Sequence, residues 1–327
     1  MSLVLTAAEV MRVLSMNLAL AAVTEAFRAH GEGRVNMPPK VHLVMPRGSF
    51  KAMFGEIFLP DGHICGVKWN SNFPDNPRHG GLTIKGKLLL NDPETGLELA
   101  DMDATLITNF RTGAAGALAV QHLARPDASR LGLVGAGEQA RTQVAAIRRV
   151  RPIRAITIHS RTATRARALR DELEEAHGLK AVVVEDIALA VTGQDIVVTT
   201  TPSTSPLVRR EWITPGTHIN AVGADSPGKQ ELDPGILTAA RIVVDDWAQA
   251  KDIGEINVPL ARGQITPAHI YGTLGEVVAG KKPGRADPQQ ITVFDATGLA
   301  IQDLALGLAI YRRAKEMGLG EVKDFLT

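Results

Sequence analysis

The sequence predicts an α/β protein, a doubly wound parallel sheet joined to a mixed α+β part. Beyond residue 114, apolar strands alternate with helices: Leu131–Val134, helix Gln139–Val150, Ala155–His159, helix Thr164–His177, Ala181–Val184, Asp195–Thr201, His218–Val222, Ile242–Asp245 and Ile291–Phe294. Such near-continuous apolar runs suit strands covered on both faces, and the alternation implies parallel pairing. Before residue 114 the rhythm differs. Helices at Thr6–Leu14 and Asn17–His30, the second closed by Gly31, precede strands near Val41–Met45, Lys51–Phe58, Gly66–Asn70 and Lys87–Asn91. The turns between them, Pro60-Asp61-Gly62 and Asp92-Pro93-Glu94-Thr95-Gly96 among them, predict an antiparallel or mixed sheet. Helices at Ala114–Leu123 and Leu299–Met317 complete the pattern.

The N-terminal helix is announced by a capping box, Thr6 with Glu9, followed by apolar Val10, Val13 and Leu14. The 327 residues suffice for two domains, each with its own core. A net charge of +1 offers no global attraction to nucleic acid or an anionic membrane, and with 4% aromatic residues there is no basic stripe with interleaved aromatics. Cys65 is the sole cysteine, so no internal disulfide forms; it reads as a small buried hydrophobe, and a reducing, cytoplasmic setting is expected. No Cys/His cluster has zinc-ligand spacing, so no metal is expected. Neither a signal-peptide pattern nor an apolar run of membrane-spanning length is present.

The sharpest local signal is Leu131-Gly132-Leu133-Val134-Gly135-Ala136-Gly137-Glu138-Gln139-Ala140, a Gly-x-Gly-x-x-Ala pattern at the end of an apolar strand. Gly135 permits the tight turn, Gly137 lets backbone approach a pyrophosphate, and Ala140 packs helix on strand. The pattern predicts a dinucleotide site. The next strand ends in His159-Ser160-Arg161-Thr162, without the carboxylate that holds a ribose 2′-hydroxyl. Serine and arginine suit a 2′-phosphate, so NADP(H) is preferred over NAD(H); the alternative is that Arg161 and Arg165 form a solvated helix start. Thr199-Thr200-Thr201 closes a later strand and borders the cofactor, or serves only the strand.

Three further residues bear chemistry. Lys68 lies in the apolar run Gly66-Val67-Lys68-Trp69, a costly place unless a partner or ligand receives it; the alternative is a solvent-facing strand lysine. Arg111 stands just before a predicted small-residue helix start, with a fork that fits a carboxylate. Asp225 follows the strand His218–Val222, where a carboxylate can activate water or accept a proton; otherwise it is a turn residue before Pro227-Gly228.

Several segments together resemble the ornithine cyclodeaminase/mu-crystallin family. They are Met37-Pro38-Pro39-Lys40, Gly66-Val67-Lys68-Trp69, Phe110-Arg111-Thr112-Gly113-Ala114-Ala115, Gly135-Ala136-Gly137 and His218-Ile219-Asn220-Ala221-Val222-Gly223-Ala224-Asp225. Pro227-Gly228-Lys229-Gln230-Glu231-Leu232-Asp233, Gly254-Glu255-Ile256-Asn257 and Phe294-Asp295-Ala296-Thr297-Gly298-Leu299-Ala300-Ile301-Gln302-Asp303 follow in order. The resemblance spans the chain and is greatest to the alanine-dehydrogenase branch. It implies a discontinuous substrate-binding and dimerisation domain, 1–113 with the C-terminal segment 296–327, around a Rossmann dinucleotide-binding domain, 114–295. A homodimer is implied, with no nucleic-acid or membrane partner.

By the same resemblance Lys68 and Asp225 are catalytic, and Arg111, Lys51 and Thr83 bind substrate. Cofactor contacts fall on Thr112, Gly135, Ala136, Gly137, Glu138, Gln139, Ser160, Arg161, Thr162, Thr200, Thr201, Val222, Gly223, Ala224, Thr297 and Gly298. The implied enzyme is an NAD(P)-dependent oxidoreductase acting on the CH–NH2 or C=N group of a small L-amino acid or imine, foremost L-alanine-type oxidative deamination or reductive amination. Alternatives are an ornithine cyclodeaminase, a ketimine or pyrroline-2-carboxylate reductase, and a non-enzymatic mu-crystallin-like binding protein. The cyclodeaminases resemble the chain less around Asp245–Lys251, and Asp225 counts against the reductases.

Overall fold

The computed structural model describes residues 1–325, so Leu326 and Thr327 of the predicted C-terminal segment lie outside the described residues. The chain forms two compact units. Met1–Arg111 and Leu299–Thr327 make the first, Thr112–Gly298 the second. Among the described residues no single helix is long and apolar enough to cross a membrane.

The first unit is built on a mixed sheet. Its strands run in the order Glu321–Lys323, Ser2–Leu5, Glu98–Asp103, Ile84–Asn91, Gly62–Asn72, Gly48–Leu59 and Val35–Asn36, with Val41–Met45 also paired to Gly48–Leu59. Ser2–Leu5 runs parallel to Glu98–Asp103; the pairings from Glu98–Asp103 through to Gly48–Leu59 are antiparallel. Strict alternation decides which residues point inward. On Gly48–Leu59, Lys51, Met53, Gly55 and Ile57 are buried while Phe54 and Phe58 are exposed. On Gly62–Asn72, Ile64 and Lys68 are buried while Trp69 is exposed.

The C-terminal helix Ala300–Glu316 covers the inner face, and glycine allows close approach. A Cβ at Gly66 would lie 3.0 Å from Leu304 Cδ2 of that helix, and one at Gly307 would lie 2.4 Å from Leu88 Cδ2. Close packing of this kind leaves no room for a methyl group unless the neighbouring side chains give way. The first turn of that helix, carrying Gln302 and Asp303, is therefore pressed against the strands.

Several sequence-based boundaries are corrected. The second helix begins at Met16 and passes through Gly31 to Glu32; it is closed by Gly33, whose φ of 77° is the left-handed cap that glycine adopts cheaply. The strands Ser2–Leu5 and Glu98–Asp103 were not foreseen, because their short apolar runs adjoin a capping box and a turn. The helix predicted at Ala114–Leu123 begins at Thr105 instead. Asp103 starts it by accepting the Thr105 N–H at 3.0 Å and the Thr105 hydroxyl at 3.0 Å. Arg111 is thus inside a helix, not before one, and shares a face with Thr108 three residues earlier.

The second unit holds an all-parallel sheet in the order Lys180–Val183, Ala155–His159, Arg130–Val134, Ile196–Thr199, His218–Ala221, Thr292–Asp295, Arg241–Val244 and Ile270–Thr273. The order reverses direction of growth at Arg130–Val134, the switch point of a doubly wound fold. Val197, Ile219, Val293 and Ile242 from consecutive strands form its core. The strand predicted at Asp195–Thr201 is only Ile196–Thr199, which leaves Thr200 and Thr201 in the loop beyond its carboxyl end. A two-stranded parallel pair, Thr204–Val208 with Gln230–Leu232, was not foreseen.

Candidate functional site

Two groups of residues carry chemistry, one in each unit. In the first unit Lys68 is 1% exposed, and its Nζ lies 2.8 Å from Asp303 Oδ2. The same ammonium donates to Thr108 Oγ1 at 3.3 Å. Arg111 Nε donates to the other oxygen of Asp303 at 3.2 Å, and Arg111 Nη1 donates to Gln302 Oε1 at 3.0 Å. Lys51 is buried on the same inner sheet face, one strand away. Asp303 is the acid in these contacts: a protonated Lys68 and Arg111 together exceed its charge by one, whereas a neutral Lys68 leaves Arg111 and Asp303 balanced.

Burial, chiefly, pushes the Lys68 ammonium down to about 7, with the Arg111 charge and Lys40 acting in the same direction and Asp303 opposing them. A lysine poised near neutrality can take or release a proton. With Lys68 protonated, the group can receive a carboxylate, because Asp303 alone does not neutralise both cations. Thr83 is half-buried in a loop of the same unit, and its backbone carbonyl accepts the Phe73 N–H at 2.8 Å.

In the second unit Gly135 has φ 115°, and a Cβ there would lie 2.5 Å from Thr200 Oγ1. Ala136 is buried, and Gly137 caps the helix Glu138–Ile147. A Cβ on Gly137 would meet no protein atom within 4 Å, so the space over the helix N-terminus is open to a ligand. Thr200 Oγ1 is buried without a hydrogen-bond partner among the described residues. An orphaned hydroxyl beside a glycine turn fits a phosphate-bearing group.

Gln139 follows at the same helix start, and the Thr112 carbonyl accepts from Gln143 Nε2 at 2.9 Å. Beyond the next strand the Thr162 N–H donates to Ser160 Oγ at 3.3 Å, and Arg161 is exposed. Thr201 and Gly223 both bind Glu231; Val222 and Ala224 flank that glycine. The Thr297 hydroxyl and Gly298 N–H both donate to Asp245. Asp225 is half-buried and ion-paired with Lys229 at 2.6 Å.

Sequence reasoning missed Asp303, Gln302 and Thr108 as members of the cation group. The signal was there: Gln302-Asp303 lies in the final family-like segment, and Thr108 and Arg111 are three residues apart on one helix face.

The profile of the ornithine cyclodeaminase/mu-crystallin family matches residues 1–318. The chain belongs to that family. The chain is 45% identical over 324 residues to the alanine dehydrogenase of Archaeoglobus fulgidus, spanning 99% of this chain and 98% of that protein. Among solved structures it is similar to an NAD-bound archaeal alanine dehydrogenase dimer, with TM-score 0.95, 44% identity and 99% of each chain covered. It is also similar to the Thermococcus litoralis Δ1-pyrroline-2-carboxylate reductase in complex with NADH and L-proline, with TM-score 0.94, 33% identity, and coverage of 98% of this chain and 100% of that one.

The position of Lys68 in this family member makes a stability prediction. Its folded pKa of about 7 lies below the ordinary 10.5, so across that window the folded chain binds fewer protons than the unfolded chain. The cost of burying the charged form is complete below the folded pKa and fades as pH rises towards the ordinary value. Urea unfolding at a series of pH values should therefore show wild type gaining stability relative to Lys68→Met between about pH 7 and 10. A pH-independent difference would mean that Lys68 titrates as an ordinary lysine.

Proposed function

We propose that this protein is an NAD(P)-dependent oxidoreductase acting on the CH–NH2 group of a small L-amino acid, with L-alanine-type oxidative deamination and its reverse as the principal reaction. The observation that carries this reading is the buried Lys68–Asp303–Arg111 group, which sets a lysine poised to exchange a proton beside a guanidinium, in a chain so similar to an alanine dehydrogenase. Arg111 and Lys51 take the substrate carboxylate, a planar anion matched to a guanidinium fork. Neutral Lys68 accepts a proton from the substrate amine. Asp225, held by Lys229, accepts a proton from the water that attacks the imine carbon, after which ammonia and a 2-oxo acid leave. When bound, the nicotinamide ring takes the hydride in deamination and returns it in amination. The glycine turn Gly135–Gly137, the Thr200 hydroxyl and the helix start at Glu138 hold its phosphates.

The enzyme is tested by following absorbance at about 340 nm together with ammonia release, with alanine, ornithine and cyclic imines each offered NAD(H) and NADP(H). Net dinucleotide reduction with alanine is the expected result, and kcat/KM should rise with pH through an ionisation near 7. Lys68→Ala should lower kcat by about a hundredfold or more. Proline formed from ornithine with no accumulation of reduced dinucleotide would replace this reading with a cyclodeaminase. The similarity to the pyrroline-2-carboxylate reductase supports imine reduction as a second activity, and the cyclic imines in the screen decide it.

For the dinucleotide, NADP(H) is favoured and NAD(H) accepted. The relatives described above hold NAD or NADH, whereas here the strand Ala155–His159 is followed by Ser160 and an exposed Arg161 with no carboxylate. Arg161→Asp should reduce the NADP-to-NAD ratio of kcat/KM by about tenfold, the loss of one charge-assisted contact to a 2′-phosphate. An unaltered ratio would remove the preference.

A homodimer fits the first unit, where the outer sheet face exposes Trp69 by 48% and Phe54 by 46%, with Phe50 stacked on Trp69 at 5.0 Å. An apolar patch of this kind is ordinarily covered. Light scattering should report a dimer for wild type and a monomer for the double variant Phe54→Lys, Trp69→Glu; a dimer that survives both changes uses another face.

A further inference from the structure

The second unit buries Glu231, Glu255, Asp295 and Asp245 completely, and the reaction proposed above employs none of them. An ionised carboxylate is tolerated in the interior only where donors surround it. Glu231 accepts the Thr199 hydroxyl at 2.7 Å, the Thr201 N–H at 2.6 Å, the Thr201 hydroxyl at 2.7 Å and the Gly223 N–H at 2.9 Å. The N–H groups of Glu231 and Leu232 go in turn to Glu255, at 2.9 and 2.7 Å. Those of Glu255 and Ile256 go to Asp295, at 2.9 and 3.1 Å. The Asp295 carbonyl accepts the Asp245 N–H at 3.0 Å. Finally the Asp245 carboxylate accepts the Thr297 hydroxyl at 2.9 Å and the Gly298 N–H at 2.6 Å.

These residues follow the sheet. Ile196–Thr199, His218–Ala221, Thr292–Asp295 and Arg241–Val244 are consecutive neighbours, and the acids tie together the loops beyond their carboxyl ends. In a doubly wound fold that edge faces the ligand. On the dinucleotide reading given above, the glycine turn would take the pyrophosphate and the Ser160–Thr162 side the adenosine half, which would leave the edge beyond the switch point for the nicotinamide half. No group of acids among the described residues is arranged to hold a metal ion.

We propose that this run of buried carboxylates is a positioning frame for the nicotinamide half of the dinucleotide, with Glu231 its principal member because it ties the Thr201 and Gly223 loops together. The proposal rests on the dinucleotide reading given above. Space around the frame is tight: a Cβ on Gly223 would lie 2.4 Å from Glu231 Oε2 and 2.2 Å from the Thr201 carbonyl oxygen. Both Glu231 oxygens are occupied by donors. An amide at position 231 would offer one acceptor and turn an NH2 group towards donors on the other side, breaking at least one of the ties. Burial, chiefly, and neighbouring acids push Glu255 and Asp295 upward, the latter to about 8. The frame thus carries fewer than its full complement of negative charges near neutrality, which limits repulsion between its members.

The test uses the full chain. Dissociation constants for NADH, NADPH and ADP are measured by fluorescence and calorimetric titration for wild type, Glu231→Gln and Thr199→Val, alongside urea midpoints. ADP carries only the half of the ligand held at the glycine turn. Glu231→Gln should weaken NADH and NADPH about tenfold while leaving ADP within about twofold, and Thr199→Val, which removes one donor, should weaken NADH about threefold with the fold retained. Folded variants that bind NADH as wild type does, or that lose ADP and NADH equally, would overturn the proposal. If wild type binds ADP but neither reduced dinucleotide, the dinucleotide reading falls and takes this proposal with it.

Discussion

A lysine and an arginine can both stay inside the first unit because Asp303 lies between them. Removing an ammonium and a guanidinium from water costs several kcal/mol each, and attraction to one well-placed carboxylate offsets part of that. The geometry is demanding. Lys68 comes from a sheet strand, Arg111 from the helix begun by Asp103, and Asp303 from the C-terminal helix. Glycines at 55, 66 and 307 lie where that helix and the sheet come closest. When Lys68 is protonated, two cations share one anion and an incoming carboxylate would complete the arrangement; when it is neutral, Arg111 and Asp303 balance and the amine can take a proton.

The second unit solves the opposite problem. Glu231, Glu255, Asp295 and Asp245 are buried there, and backbone N–H groups and threonine hydroxyls serve as their partners. Such partners are short and cannot swing away as a lysine can, so each carboxylate ties two or more chain segments at once. Glu231 ties the ends of neighbouring strands, and Asp245 holds the start of the segment at Thr297–Gly298. Loops that would otherwise need their own packing are thereby held at the edge where a doubly wound sheet receives ligands.

Much of this was legible beforehand. The switch from closely spaced strands to strand–helix alternation stands out because parallel strands are apolar throughout, and Gly135-Ala136-Gly137 is readable because only glycine permits that turn. Lys68 was conspicuous as a charge in an apolar run. What escaped notice were elements with weak local signals. Ser2–Leu5 and Glu98–Asp103 pair with each other from opposite ends of the first unit's N-terminal segment, and nothing local to either announces it. The helix begins at Thr105 among β-branched Thr105, Ile107 and Thr108, whose helix propensity is low, and the alanine-rich signal starts only at Ala114, so Arg111 was placed before a helix rather than within it.

Residue type and spacing in the sequence alone determined the fold class, the glycine turn with its helix, and the family, because these depend on neighbours along the chain and on an ordered set of motifs. Only the tertiary structure decided which charges are partners. Lys68 and Asp303 are far apart in sequence, and Glu231 meets Gly223 and Thr201 through loops from different strands. Contacts of that kind arise where packing brings separate elements together, and no local pattern encodes the meeting point.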